Sequence, residues 1–177
     1  MQFKSLTISR LATPGNRNAP DDLEEGEFVG YASTFDRTPD SQGDVVAPTS
    51  FTRTLAEHKD ADAPMPVMYG HDLTDPYSNI GQIVTAEPDA KGLRIRGRLD
   101  VASNPKAKQT YNLLKSRRLR ELSIGYTVRD QGIVTLPDGR KANELRDVDL
   151  LEISVVPIAA NPHATITGVK SAADNNQ

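Results

Sequence analysis

The chain is 177 residues long, 37% hydrophobic and 25% charged, with a formal net charge of −3 and no cysteine. That length supports one domain with a real core, and the charge balance excludes a nucleic-acid binder that works through a basic surface. Without cysteine there is no disulfide scaffold, thiol nucleophile or thiolate zinc site, and no apolar run reads as a membrane span or a leader, so a cytosolic setting is expected.

In chain order, Gln2 to Leu11 alternates as a first strand, and the polar stretch from Ala12 to Gly26 reads as a loop. Glu27 to Phe35 is a second strand, followed by a loop from Asp36 to Asp44. Phe51, Leu55 and His58 fall at helical spacing. They predict a short helix over Pro48–His58, with Pro48 near its first turn and Thr49 or Ser50 as the cap. Met65 to Tyr69 is a short strand that runs into Gly70-His71-Asp72. Asn79 to Glu87 and Gly92 to Val101 form a hairpin about Pro88–Gly92. Asn104 to Arg118 is the best helix, with Asn104 as cap, Pro105 in the first position and Ala107, Tyr111, Leu114 and Arg118 on one stripe.

From Arg120 to Val128 the chain alternates again. Leu122, Ile124, Tyr126 and Val128 face one way, and Glu121, Ser123, Gly125 and Thr127 the other. Gly132 to Lys141 reads as a hairpin excursion with Pro137-Asp138-Gly139 at its tip. Val148 to Val156 is a strongly apolar strand, Ala164 to Val169 a last short one, and Ser171 to Gln177 a polar tail expected to be disordered. About eight strands and two helices, with no repeat or linker, predict one mostly-β domain over residues 1–170, a barrel or sandwich with its helices outside.

Four residues carry the chemical interest. Ser123 sits beside Gly125, whose missing side chain leaves room for a substrate; the plain alternative is a serine on the wet face of a strand. His71 follows a glycine at a strand end, and imidazole is the natural general base near neutral pH. His58, on a polar helix end, and His163, on a Pro-rich loop, are weaker candidates. Glu152 lies in Leu150–Val156, which reads as apolar on both faces, with Leu151, Ile153 and Val155 on one and Leu150, Glu152, Ser154 and Val156 on the other. A carboxylate there requires a partner. That partner is either an arginine in a structural ion pair or a histidine that the acid orients. Ser154, two residues on, is a rival nucleophile.

Lys115 to Arg120 is a basic segment at a helix C-terminus, which complements the helix dipole or anchors an acidic partner. Asp36, Asp40, Asp44, Asp72 and Asp75 sit in loops, and their spacing fits neither an EF-hand loop nor an HExxH-type helix. A metal-dependent hydrolase built on His71, Asp72 and Glu152 is one alternative to a serine enzyme. An inactive scaffolding or assembly module is another.

Four short blocks in order resemble the tailed-phage prohead proteases, the capsid-maturation serine proteases related in fold to herpesvirus assemblin. They are Phe28–Phe35 with Gly43–Pro48, then Met68–Asp72 with Ile80-Gly81, then Leu122–Tyr126, and finally Leu151–Pro157 with Ala160–Pro162 and Ala164. The resemblance implies an assemblin-like β-barrel of about seven or eight strands with peripheral α-helices. It implies Ser123 as nucleophile, His71 as base and, where assemblin-type enzymes use a second histidine, Glu152 as the orienting acid. It also implies an oxyanion hole in the loop after the Glu152 strand, with backbone N–H groups of Ile158, Ala159, Ala160 and Asn161 as candidates. No cofactor or metal is expected. The implied substrates are the major capsid protein, scaffold segments and the chain itself, cleaved inside the procapsid in the host cytoplasm. A homo-oligomer is left open, and neither nucleic acid nor membrane is an expected partner.

Overall fold

The computed structural model describes residues 2–4, 23–158 and 164–169. The later part of the expected first strand, most of the first loop, Ala159 to His163 and the polar tail lie outside them.

Among the described residues, nine strands form one mixed sheet that curls into a half-barrel. They are β1 (Gln2–Lys4), β2 (Glu27–Thr34), β3 (Asp44–Val46), β4 (Pro66–Tyr69), β5 (Asn79–Pro88), β6 (Gly92–Leu99), β7 (Glu121–Thr135), β8 (Lys141–Val156) and β9 (Ile166–Val169). Spatially they run β1-β7-β8-β4-β5-β6-β2-β9, with β3 paired to β8 off this path. β8 takes β3 and β4 in parallel, and the other pairings are antiparallel. The two ends of the curl meet where Glu121 bridges Thr165, and the N–H of Leu122 donates to the carbonyl of Ala164. Among the described residues no helix is long and apolar enough to cross a membrane.

The expected excursion after Gly132 is the outer half of a single long hairpin. β7 and β8 stay paired out to Thr135 and Lys141, and the turn closes with the Gly139 N–H on the Leu136 carbonyl. Across its inner half, Leu122, Ile124 and Tyr126 stand opposite Val155, Ile153 and Leu150, all buried in the core. That register contains a correction. Gly125 pairs with Glu152 but Tyr126 pairs with Leu150, so Leu151 is an extra residue, a β-bulge. Leu150 is thereby turned into the core, and Leu151 is left 38% exposed. The run is therefore not apolar on both faces.

The second edge of β8 accounts for its backbone in three parts. β3 pairs with its start, β4 with its end, and helix α1 (Thr52–Asp60) covers the gap between them. Ser50 Oγ donates to the Leu145 carbonyl at 2.6 Å, and Leu150 N–H donates to Thr54 Oγ1 at 3.1 Å. The ring of His58 meets the Leu150 carbonyl at 2.9 Å. Ser50 is thus committed to β8; Phe51 takes the cap position without a side-chain cap, and α1 begins at Thr52, four residues later than Pro48.

Helix α2 (Pro105–Lys115) starts as the sequence predicts but stops at Lys115, so Arg118 lies beyond it, exposed and off the stripe. Asn104 Oδ1 accepts from the N–H groups of Lys106 and Ala107, a cap that contributes about 1 kcal/mol. Its buried stripe of Ala107, Thr110, Tyr111 and Leu114 packs on the core. The one buried acid held by arginines is Glu27, among the described residues. It is 1% exposed, and Arg96 and Arg98 bond its two oxygens at 2.6 and 2.7 Å.

Candidate active site

Three adjacent strands bring Ser123, His71 and Glu152 together. On the face of the β7–β8 pair opposite the core residues, Ser123 stands across from Ser154, and Gly125 across from Glu152. β4 lies on the other side of β8, with Met68 opposite Ser154 and Tyr69 opposite Val155. Gly70 extends that pairing through its N–H to the Val155 carbonyl. Gly70 and His71 then both take left-handed backbone angles, with φ of 65° and 59°. Glycine does this freely, whereas a residue with a Cβ gives up about 1–2 kcal/mol. The double step carries the imidazole between Glu152 and Ser123.

Nδ1 of His71 lies 2.5 Å from Glu152 Oε1, and its Nε2 lies 2.5 Å from Ser123 Oγ. Glu152 Oε2 already accepts the Ser154 hydroxyl proton at 2.7 Å, so the carboxylate acts as an acceptor. An acceptor facing Nδ1 selects the tautomer with its proton there, which leaves Nε2 to receive a proton from Ser123. The Ser154 oxygen in turn accepts the backbone N–H of His71 at 3.1 Å. Ser123, Glu152 and Ser154 are at most 1% exposed, while the His71 side chain is 15% exposed.

Gly125 has a different role from the expected one. Glu152, not open space, fills the position where its side chain would be, since a Cβ there would lie 2.3 Å from Glu152 Oε1. The glycine makes room for the acid. The arginine alternative for Glu152 is replaced by the contacts with His71 and Ser154.

Behind His71 the chain is tied down by a network that sequence reasoning missed. Asp72 accepts from the hydroxyl and N–H of Thr74, from the Ser78 hydroxyl and from the Asp75 N–H. The Thr74 hydroxyl first, then the Thr74 N–H and Ser78, pull the Asp72 carboxyl down to about 2. Asp75 accepts from the N–H of Tyr77, opening the 3-10 turn Pro76–Ser78, and from Lys106 of α2 at 2.6 Å. Asn104 also reaches this loop, donating to the carbonyls of Tyr77 and Asn79. The signal was available in Asp72-Leu73-Thr74 and Asp75-Pro76, both turn-forming patterns.

The remaining candidates stand apart. Asp72 is engaged with its own loop, and among the described residues no three His, Asp or Glu side chains are grouped to hold a metal. His58 serves the β8 backbone. Ile158 is 85% exposed just beyond β8. Ala159, Ala160, Asn161 and His163 lie outside the described residues.

A hydroxyl, an imidazole and a carboxylate in contact in that order can work together as nucleophile, base and orienting acid. Residues 15–177 match the family model described as Caudovirus prohead serine protease, and the chain belongs to that family. It is 30% identical over 155 residues to a capsid polyprotein of Pseudomonas phage PAJU2, covering 85% of this chain and 21% of that protein. It is 27% identical over 142 residues to the prohead protease of Escherichia phage T5, covering 80% of this chain and 62% of that one. The chain thus spans less than two thirds of the length of either relative. Its fold matches the bacteriophage T4 capsid assembly protease with a TM-score of 0.53 at 6% identity, over 88% of this chain and 90% of that chain.

Proposed function

We propose that this protein is a serine endopeptidase that cleaves capsid and scaffold segments, and its own chain, during maturation of a phage prohead. The observation that carries the reading is the imidazole of His71 standing between Ser123 Oγ and Glu152 Oε1 at 2.5 Å from each. In this reading Ser123 Oγ attacks the scissile carbonyl as Nε2 of His71 takes its proton. The bond from carbonyl carbon to nitrogen then breaks, and His71 returns the proton to the leaving amine. Glu152 holds the ring in the tautomer that makes Nε2 basic, and its charge stabilises the imidazolium between the two steps. Water repeats the sequence on the acyl-enzyme. Backbone N–H groups in the segment after β8, from Ile158 to Asn161, are the proposed oxyanion donors; Pro157 has none to give.

Membership of the prohead protease family and the likeness to a capsid polyprotein support capsid protein as the substrate and the procapsid interior as the site of action. The test is co-expression of Ser123→Ala with the phage's capsid protein. The expected result is uncleaved capsid protein, because losing the nucleophile costs roughly 10⁴–10⁶ in rate. A serine-reactive fluorophosphonate should add once to the wild-type chain, at Ser123, by intact mass and peptide mapping. Normal cleavage by Ser123→Ala overturns the assignment.

A further inference from the structure

Ser154 has one hydroxyl proton and two lone pairs, and both kinds of capacity are used at the site. The proton goes to Glu152 Oε2 at 2.7 Å. A lone pair takes the backbone N–H of His71 at 3.1 Å. Glu152 meets the ring of the same histidine through its other oxygen. The three contacts close a cycle: Ser154 hydroxyl to Glu152, Glu152 to the His71 ring, and His71 backbone to Ser154.

This cycle references both ends of one residue to a single side chain. The His71 backbone holds a left-handed angle that a residue with a Cβ does not choose on its own, so it needs anchoring. Gly70 supplies one anchor through Val155, and Ser154 supplies the next. The carboxylate of Glu152 can turn about its last torsion. The Ser154 hydroxyl fixes one oxygen and thereby aims the other at Nδ1. Ser154 is 0% exposed, so these bonds are made out of contact with bulk solvent.

We propose that Ser154 is a positioning residue for the reaction. It locks the backbone of the base and the rotation of the acid together, so that Nε2 stays directed at Ser123. The inference rests on the reading of Ser123 as nucleophile. It gives the rival serine a different part, because the Ser154 hydroxyl points at Glu152 Oε2, whereas the Ser123 hydroxyl meets Nε2 of His71.

The test compares full-length Ser154→Ala and Ser154→Thr with the wild type, using a fluorophosphonate probe and proton NMR. For Ser154→Ala, the labelling rate at saturating probe is expected to fall by about 10–100-fold, the effect of loosening a reacting group by a fraction of an ångström. The probe concentration at half-saturation should change less than about twofold. Ser154→Thr keeps the hydroxyl and should recover most of the rate. The downfield signal of the His71 Nδ1 proton, recorded in a Ser123→Ala background, should be sharp with Ser154 or Thr and broadened or lost with Ala. A wild-type labelling rate with an unchanged signal in Ser154→Ala overturns the inference. So does a loss in Thr equal to that in Ala, which marks packing alone. If Ser154→Ala does not fold, the Thr variant and its signal decide in the same way. Labelling elsewhere than Ser123 in the wild type is the separate failure of the nucleophile assignment, and the NMR comparison still reports on Ser154.

Discussion

Gly125 and Glu152 face each other across β7 and β8, and the carboxylate occupies the space a Gly125 side chain would need. The acid can lie flat beside the strand that carries Ser123 only because that position is empty.

Gly125→Ala is therefore expected to damage the site more than the fold. The new methyl would sit 2.3 Å from Glu152 Oε1 and 2.9 Å from its Cδ, so the carboxylate must move. Overpacking of this kind costs roughly 1–3 kcal/mol in stability, and displacing the acid should lower kcat by at least about 10²-fold. Calorimetry and cleavage kinetics on the same preparation check both. Wild-type kcat in Gly125→Ala would show that Glu152 need not stay where it is.

The two buried glutamates should respond to the same substitution in opposite ways. Glu152→Gln keeps the volume but removes the charge that supports imidazolium, so the rate should drop roughly 10³–10⁴-fold with little change in Tm. Glu27 is held by Arg96 and Arg98. Burial raises its pKa, but the bonds from the Glu24 N–H, Arg96 and Arg98 outweigh this and leave it below the ordinary 4.5. A lowered carboxyl contributes stability above its unfolded value, lost as pH falls through the folded one. Glu27→Gln should cost roughly 1–3 kcal/mol near neutral pH, flatten the acid-unfolding curve below about 4.5, and leave cleavage per folded molecule unchanged. A destabilised but fully active Glu152→Gln would assign Glu152 to structure instead.

Asp72 should keep its loop ordered far into acid. Its carboxyl is pulled from 3.8 to about 2 by Thr74 and Ser78, so the bonds it accepts persist above about 3.8 and fail only as pH falls through about 2. Amide exchange at Thr74 and Asp75, corrected for intrinsic rates, should stay slow down to that range. Asp72→Asn should speed exchange already at neutral pH and lower kcat by a few-fold to about tenfold, because the loop begins one residue after His71. Unchanged exchange in Asp72→Asn would show that the loop is held by other contacts.

Much of this architecture is legible in the sequence where the signal is local. The Leu122–Tyr126 alternation, the Asn104 cap with Pro105 and the Pro137–Gly139 tip each follow from neighbours within a few residues. What escaped depends on partners far away. The bulge at Leu151 reverses which leucine faces the core, and nothing in Leu150–Val156 reports it; only the register against β7 does. β3 is three residues long and exists because Asn143 to Leu145 accept it as a partner. Ser50 looks like a helix cap but bonds a carbonyl 95 residues on. The glycine beside Ser123 is visible in the sequence, but what fills its space belongs to another strand. The order of His71, Ser123 and Glu152 along the chain carried the family resemblance, whereas the double left-handed turn that brings His71 to the other two is a tertiary fact.

The parallel docking of β4 on β8 has a consequence for when this protein can act. Ser123 and Glu152 come together through one hairpin, a near-neighbour closure. His71 reaches them across sequence separations of 52 and 81 residues, and closures of that span are entropically costlier and slower. Glu152 also lies on the last long strand, so β4 is synthesised well before its partner exists. A chain still leaving the ribosome has β4 but not yet the acid of β8, and one whose hairpin has formed without β4 holds Ser123 and Glu152 without His71. Either chain lacks one member of the proposed triad. In the proposed reading, activity arrives only with the finished fold.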